Sequence, residues 1–413
     1  MTVLPRYGFR LAKNPSARPG AEYGPEQAAI LDASGLETAR RTISAWPGYA
    51  PTPLVELAGV AAAAGIGRLH YKNEAPRFGL GSFKPLGGAF AVARLLADEI
   101  ERRTGEAPAA PADLLSGRHR DVVSGVTVTA ATDGNHGRSV AWGARMFGCR
   151  SVIFIHETVT ERREAAIAGL GAEVRRTPGT FDDAVRTAQS VAEAEGWHLI
   201  PDTSDGTVVD APRNVMQGYA LMAAETIEQL PYAGPPTHIF LQAGVGGMAA
   251  ATCARFWQTY GARRPRTVLV EPETAACWFE SLRAGHPVTT EGELESIMAG
   301  LACGEVSRLA WTILRPGADM MMTVTDEAAA DCMRLLAEGR HGDAPLVAGE
   351  SAVAGLAGLL AAAGDETGWA DLGLDGTSRV VLFGTEGATD PETYARIVGR
   401  WPEDVEPPNT REA

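Results

Sequence analysis

From about Asp121 onward the chain alternates short β-rich runs with amphipathic helical ones, and no other feature narrows its possible folds as far. Val122 to Ala130 reads as a strand, Gly137 to Met146 as a helix, Ser151 to Ile155 as a strand and Glu161 to Leu170 as a helix. Ala172 to Arg175, Phe181 to Glu195 and His198 to Ile200 continue the order as strand, helix and strand. Parallel neighbours need a crossover, usually a helix, so this order predicts a parallel sheet with helices on its faces. A second series starts at Thr237 to Leu241, continues through Thr267 to Val270 and ends with Arg379 to Phe383. The expected fold is α/β, with two wound parallel sheets. Ligands in such folds sit beyond the carboxyl ends of the strands, so a cleft between the sheets is expected to hold the site.

Thr104 to His119, ahead of the first series, and Pro231 to Pro236, between the two, read as connectors, rich in proline and glycine. The acidic, proline-rich tail from Pro402 onward is expected to fray. The first fifty residues show no clear periodicity.

Charge and cysteine usage remove several classes of function. A net charge of -14 argues against a nucleic-acid surface, which needs clustered Lys and Arg. Cys149, Cys253, Cys277, Cys303 and Cys332 stand far apart, without the short paired spacing of a structural zinc site. The opening Met1-Thr2-Val3-Leu4-Pro5-Arg6 lacks the order of a signal peptide, and no apolar run is long enough for a bilayer. A cytoplasmic enzyme is the expectation, with free thiols.

Three loops carry chemistry. In Gly81-Ser82-Phe83-Lys84-Pro85 a lysine follows an aromatic and precedes a proline able to open a helix. An amine held there away from bulk water is disfavoured as ammonium, which makes Lys84 a candidate imine former as well as a candidate ordinary surface lysine. Thr132-Asp133-Gly134-Asn135-His136-Gly137-Arg138 follows a predicted strand. Small neighbours leave the Asn135 amide open to a ligand and Asp133 adds a carboxylate, although both residue types also cap helices. Gln242-Ala243-Gly244-Val245-Gly246-Gly247-Met248 joins a predicted strand to a helix, either as a phosphate cradle or as a tight turn. Asp202, after Pro201 at the end of a later strand, could face the same space as Asp133 or serve as a turn residue.

In their order along the chain these segments, with Phe383-Gly384-Thr385-Glu386-Gly387 on the last strand, resemble fold-type II pyridoxal-phosphate enzymes, the group containing threonine dehydratase and serine racemase. Within that group the diaminopropionate ammonia-lyases are the better match. The likeness rests also on Arg77-Phe78-Gly79-Leu80, Met216-Gln217-Gly218-Tyr219 and Ile297 to Glu305, and spans roughly residues 70 to 391.

The resemblance implies two three-layer αβα domains with pyridoxal 5'-phosphate in the cleft between them: a large cofactor-binding domain of residues 1–121 and 206–413, and a small one of residues 122–205. It implies that Lys84 holds the cofactor as an imine, with Phe83 flanking the ring and Asn135 hydrogen-bonding the ring hydroxyl. Gly244, Val245, Gly246, Gly247 and Met248 would bind the phosphate, and Thr385 would meet the ring nitrogen as a neutral partner. Asp133 and Asp202 match the two carboxylates placed around the substrate, a small amino acid. Cys277 and Cys303 fall where the family can carry a cysteine pair. A homodimer is implied too. The chain departs from the family pattern at Gly81-Ser82, Pro85, Ser204-Asp205-Gly206 and Asn214-Val215, all near the residues expected to select the substrate.

Overall fold

The computed structural model describes residues 4–105, 111–132 and 134–405. The chain forms two compact units, one of Met1–Ile30, Pro51–Gly81 and Ala223–Ala413, the other of Leu31–Ala50 and Ser82–Met222.

The first unit is built on a seven-stranded sheet. Its strands are β1 (Phe9–Lys13), β2 (Leu54–Glu56), β3 (Arg68–Asn73), β8 (His238–Gln242), β9 (Arg266–Pro272), β10 (Met320–Val324) and β11 (Arg379–Gly384), in the order β1-β10-β9-β8-β11-β3-β2. The five central strands run parallel, while β1 and β2 join antiparallel at the two edges. The sheet is therefore mixed rather than purely parallel. Strands β8 and β10 are buried at every position, as expected where helices cover both faces.

The second unit holds a four-stranded parallel sheet of β4 (Thr127–Ala131), β5 (Arg150–His156), β6 (Glu173–Thr177) and β7 (His198–Leu199), ordered β6-β5-β4-β7. This sheet lies inside the span expected for a small domain, but the compact unit around it also takes in Leu31–Ala50 and reaches from Ser82 to Met222. The addition includes the helix Pro85–Thr104, which packs along the helix Asn135–Phe147. Close approach depends on residues without side chains. A Cβ on Gly88 would lie 1.9 Å from Ser139 Oγ, one on Gly87 2.3 Å from the Tyr219 ring, and one on Gly218 1.8 Å from Leu86 O.

Several local expectations need correction. Residues Arg120–Val123 form a short helix, and the strand expected from Val122 begins at Thr127. The connector expected over Thr104 to His119 contains the helix Pro111–Ser116, while its residues 106–110 lie outside the described residues. Of the tail, Pro402–Asp404 make one 3-10 turn and residues 406–413 lie outside the described residues.

Strand β3 escaped sequence reading because it buries charge. Lys72 Nζ donates to Glu225 Oε2 at 2.9 Å, Thr52 O at 2.7 Å and Gln229 Oε1 at 2.8 Å. The Arg77 guanidinium, also buried, donates to both Glu74 and Glu225 at 2.7–3.0 Å. Two cations thus meet two carboxylates, and the network anchors Arg77-Phe78-Gly79, the stretch that runs toward Lys84. Among the described residues no helix is long and apolar enough to cross a membrane.

Candidate active site

In the second unit Lys84 stands at the cap of the helix Pro85–Thr104, and its carbonyl accepts from Gly87 N and Gly88 N at 3.0 Å. Pro85 fits the first helical position because its missing donor would find no partner there. Lys84 Nζ donates to Asp202 Oδ2 at 2.7 Å and lies 5.5 Å from the Phe83 ring centroid and 5.9 Å from that of Tyr219. The two rings tilt together with centroids 4.6 Å apart, and both are buried. The lysine therefore stands on an aromatic wall beside a carboxylate that accepts its hydrogen bond.

Burial works to raise the Asp202 carboxyl, but the Lys84 ammonium overrides it and holds Asp202 well below the usual carboxylate range. His136 completes the group. Its Nε2 lies 2.7 Å from Ile200 O, which can only accept, so Nε2 carries the proton. Burial lowers the basicity of the ring and keeps it neutral. Nδ1, 3.9 Å from Asp202 Oδ2, has no hydrogen-bond partner among the described residues. Sequence reasoning gave neither His136 nor Tyr219 a role. The signal for His136 was its place beside Asn135, and for Tyr219 the glycine before it that lets two helices touch.

Asn135 opens the helix Asn135–Phe147 and is half-buried, with Arg138 Nη1 3.5 Å from its Oδ1. Two amides at that helix start, Gly134 N and Gly137 N, are taken by Thr132 Oγ1 at 3.0 and 3.1 Å. Asp133 lies outside the described residues. The stretch after Asp202 is a tight turn, with Ser204 Oγ donating to Val208 O at 2.5 Å and accepting from Gly206 N at 3.1 Å.

The other predicted residues belong to the first unit. The loop from Gly244 to Gly246 leaves β8 and enters the helix Gly247–Tyr260, whose first i−4 hydrogen bond runs from Ala250 N to Gly246 O. The amides of Gly247, Met248 and Ala249 precede it, and no side chain caps them, which leaves a helix start suited to an anion. Gly246 has φ of 96°, and a Cβ there would lie 2.2 Å from the Trp278 ring. Trp278 is braced in turn: Nε1 donates to Gly244 O at 2.9 Å, while the backbone N of Trp278 and of Phe279 donate to the oxygens of the buried Glu271 carboxyl group at 2.8 Å. All five cysteines are free thiols, and Cys277 and Cys303 both lie against Gly244.

Thr385 follows β11 and is buried. Its Oγ1 lies 2.9 Å from Gln242 Nε2, which also donates to Phe383 O at 2.6 Å. The first unit thus offers a cluster of backbone donors and a neutral hydroxyl, and the second a lysine, a carboxylate and an amide.

The family model described as "Pyridoxal-phosphate dependent enzyme" matches residues 45–374 of this chain. A diaminopropionate ammonia-lyase of Salmonella typhimurium is 37% identical over 361 residues, covering 85% of this chain and 89% of that one. The crystal structure of holo diaminopropionate ammonia lyase from Escherichia coli superposes with a TM-score of 0.87 at 33% identity, over 96% of this chain and 97% of that one. A structure of the Escherichia coli enzyme in complex with D-serine also gives a TM-score of 0.87 at 33% identity, over 96% and 98% of the two chains.

Proposed function

The chain belongs to the family of pyridoxal-phosphate-dependent enzymes, and on that premise we propose that it removes ammonia from 2,3-diaminopropionate, of D or L configuration or both, by α,β-elimination to give pyruvate and ammonia. The observation that carries this reading is the Lys84–Asp202 hydrogen bond at 2.7 Å against Phe83 and Tyr219, which places the lysine expected to hold the cofactor beside a carboxylate suited to a cationic substrate. The named relatives support the substrate, and the D-serine complex of one supports access for a D-amino acid.

The residues present fit the cofactor. Backbone amides at the start of the helix Gly247–Tyr260, with Gly246 and its neighbours Gly244, Val245, Gly247 and Met248, would suit a phosphate, and a side chain at Gly246 would drive into the Trp278 ring and displace the loop. Thr385 offers the ring nitrogen an uncharged hydroxyl, Asn135 offers the ring hydroxyl an amide, and Lys84 offers the amine for covalent attachment. When bound, pyridoxal phosphate supplies an electron sink for the charge left by loss of the α-proton.

With its amine uncharged, Lys84 would take that proton from one face and Asp133 from the other, which would admit both enantiomers. The β-amino group leaves only if protonated. A carboxylate near it, Asp133 or Asp202, would keep that group cationic and help locate it. The released enamine hydrolyses with water to pyruvate and a second ammonia. The chain works, in this reading, as a homodimer in the cytoplasm, which light scattering and cell fractionation test.

Purified holoenzyme assayed for pyruvate with D- and L-2,3-diaminopropionate, serine and threonine is expected to prefer the diamino acid. Turnover of the hydroxy amino acids with diaminopropionate inert would make it a dehydratase. A new amino acid formed on adding thiols or amines would make it a β-replacement synthase, and a spectral change without product an amino-acid sensor. Borohydride reduction should fix the cofactor to the peptide containing Lys84, and its appearance on any other peptide removes the mechanism.

A further inference from the structure

Two carbonyls of the loop that leaves β8 are tied down from outside it. Gly244 O accepts from Trp278 Nε1 at 2.9 Å, and Val245 O accepts from Ser307 N at 2.9 Å. In a planar trans peptide the C=O and the N–H of one unit point in opposite directions. The Gly244 carbonyl shares its unit with the Val245 amide, and the Val245 carbonyl shares one with the Gly246 amide. Each tether therefore turns an N–H outward, away from Trp278 in the first case and away from Ser307 in the second. Neither amide donates to a backbone group among the described residues. They stand next in the chain to the uncapped amides of Gly247, Met248 and Ala249, and Gly246 between them is left-handed, the backbone arrangement in which successive N–H groups form a concavity for an anion.

The two tethers differ in kind. Ser307 uses a backbone donor, which any residue but proline supplies, whereas Trp278 uses its side chain, and that side chain is fixed at three points. The backbone N of Trp278 and of Phe279 donate to the two oxygens of the Glu271 carboxyl group, the indole stacks on Trp311 with centroids 5.9 Å apart, and its edge lies against Gly246. We infer that Trp278 is a positioning residue for the phosphate of the cofactor: its indole N–H holds the peptide joining Gly244 to Val245 so that Val245 N donates to the anion. The inference rests on the cofactor assignment made above and adds to it a side chain from outside the glycine loop. It also gives a reason for tryptophan at 278. Phenylalanine would keep a ring against Gly246 but leave the Gly244 carbonyl without its donor, and the peptide could then turn the Val245 amide away.

The test compares pyridoxal 5'-phosphate with pyridoxal, which lacks the phosphate. Each is titrated into cofactor-free native protein and into Trp278→Phe and followed by absorbance. The native protein should hold the phosphorylated form far more tightly. Trp278→Phe should lose roughly tenfold or more in affinity for pyridoxal 5'-phosphate, the worth of one hydrogen bond to a charged group, and keep its affinity for pyridoxal within about twofold. A tryptophan that only braced the fold would weaken both forms alike, so equal losses, or none, overturn the inference while leaving the loop as the phosphate site. A second measurement needs no variant. In cofactor-free native protein carrying 15N-labelled valine and glycine, inorganic phosphate should shift the Val245 amide signal in the NMR spectrum and slow its hydrogen exchange. A Val245 signal that stays in place while that of Gly247 moves overturns the inference too. Native protein that holds pyridoxal as tightly as pyridoxal 5'-phosphate overturns the underlying assignment of the loop as well.

Discussion

Lys84 Nζ and Asp202 Oδ2 share a 2.7 Å hydrogen bond, with each side chain only about a quarter exposed at 22% and 24%. The Lys84 ammonium, with a smaller part from His136, therefore lowers the Asp202 carboxyl despite its burial. Asp202 is depressed below its unfolded value, so its contribution to stability is complete above the ordinary carboxylate value of about 3.9 and is lost as pH falls through the lower folded value. Thermal unfolding of cofactor-free protein should show Asp202→Asn less stable than wild type at neutral pH, with the gap narrowing in acid. A gap of constant size down to strongly acidic pH would show that the pair does not couple proton binding to folding.

Asp133→Asn should lower kcat/KM for D-2,3-diaminopropionate by roughly 10²- to 10⁴-fold, the usual worth of a positioned base, and should affect the L-isomer less. The measurement is pyruvate release from each enantiomer. Equal losses would remove the assignment of one base to each face.

Gly246→Ala places a methyl group on a backbone with φ of 96° and drives it into Trp278. With strain of about 1–3 kcal/mol at such a position, cofactor affinity should fall at least roughly tenfold. Cofactor titration followed by absorbance checks this, and unchanged affinity would mean that the loop does not bind the phosphate.

Gly87→Ala tests packing beneath the lysine. The added methyl meets the Tyr219 ring and Val215 Cγ1, where crowding of this kind costs about 1–3 kcal/mol, so the melting temperature should fall.

Glu225→Gln leaves Arg77 and Lys72 with less negative charge than they need in a buried network. The expected loss is about 3–5 kcal/mol in denaturant unfolding, well beyond that of the exposed Arg68–Glu56 pair, which should be worth about 1 kcal/mol or less.

The sequence made much of the second unit legible because β5 carries an apolar run and strands and helices alternate at regular spacing. The helix Phe181–Glu195 was readable to the residue, and the Thr180–Asp183 capping box marks its start. Strand β3 was not legible, because His70 and Lys72 read as surface residues until Glu225, distant in sequence, supplies a partner for the lysine. Edge strand β1 is short and pairs antiparallel with β10, far along the chain, while β2 is only three residues long and pairs antiparallel with the next strand, β3, so no crossover announces either. Gly244 to Met248 and Lys84 could be picked out because glycine and proline leave local marks. The parts played by Tyr219, His136 and Gln242 depend on what lies across a helix or a strand, which no local pattern encodes.

The glycine faces around the helix Pro85–Thr104 bear on how the reactive amine moves. Tyr219, Ser139 and the backbone of Leu86 and Gly218 come so near that there is no room for the first turn of that helix to shift. The peptide unit bearing the lysine is thus a fixed pivot. Whatever travel the ε-nitrogen makes between carboxylate, cofactor and substrate is swung by its own four methylenes, over two aromatic rings that give it a track.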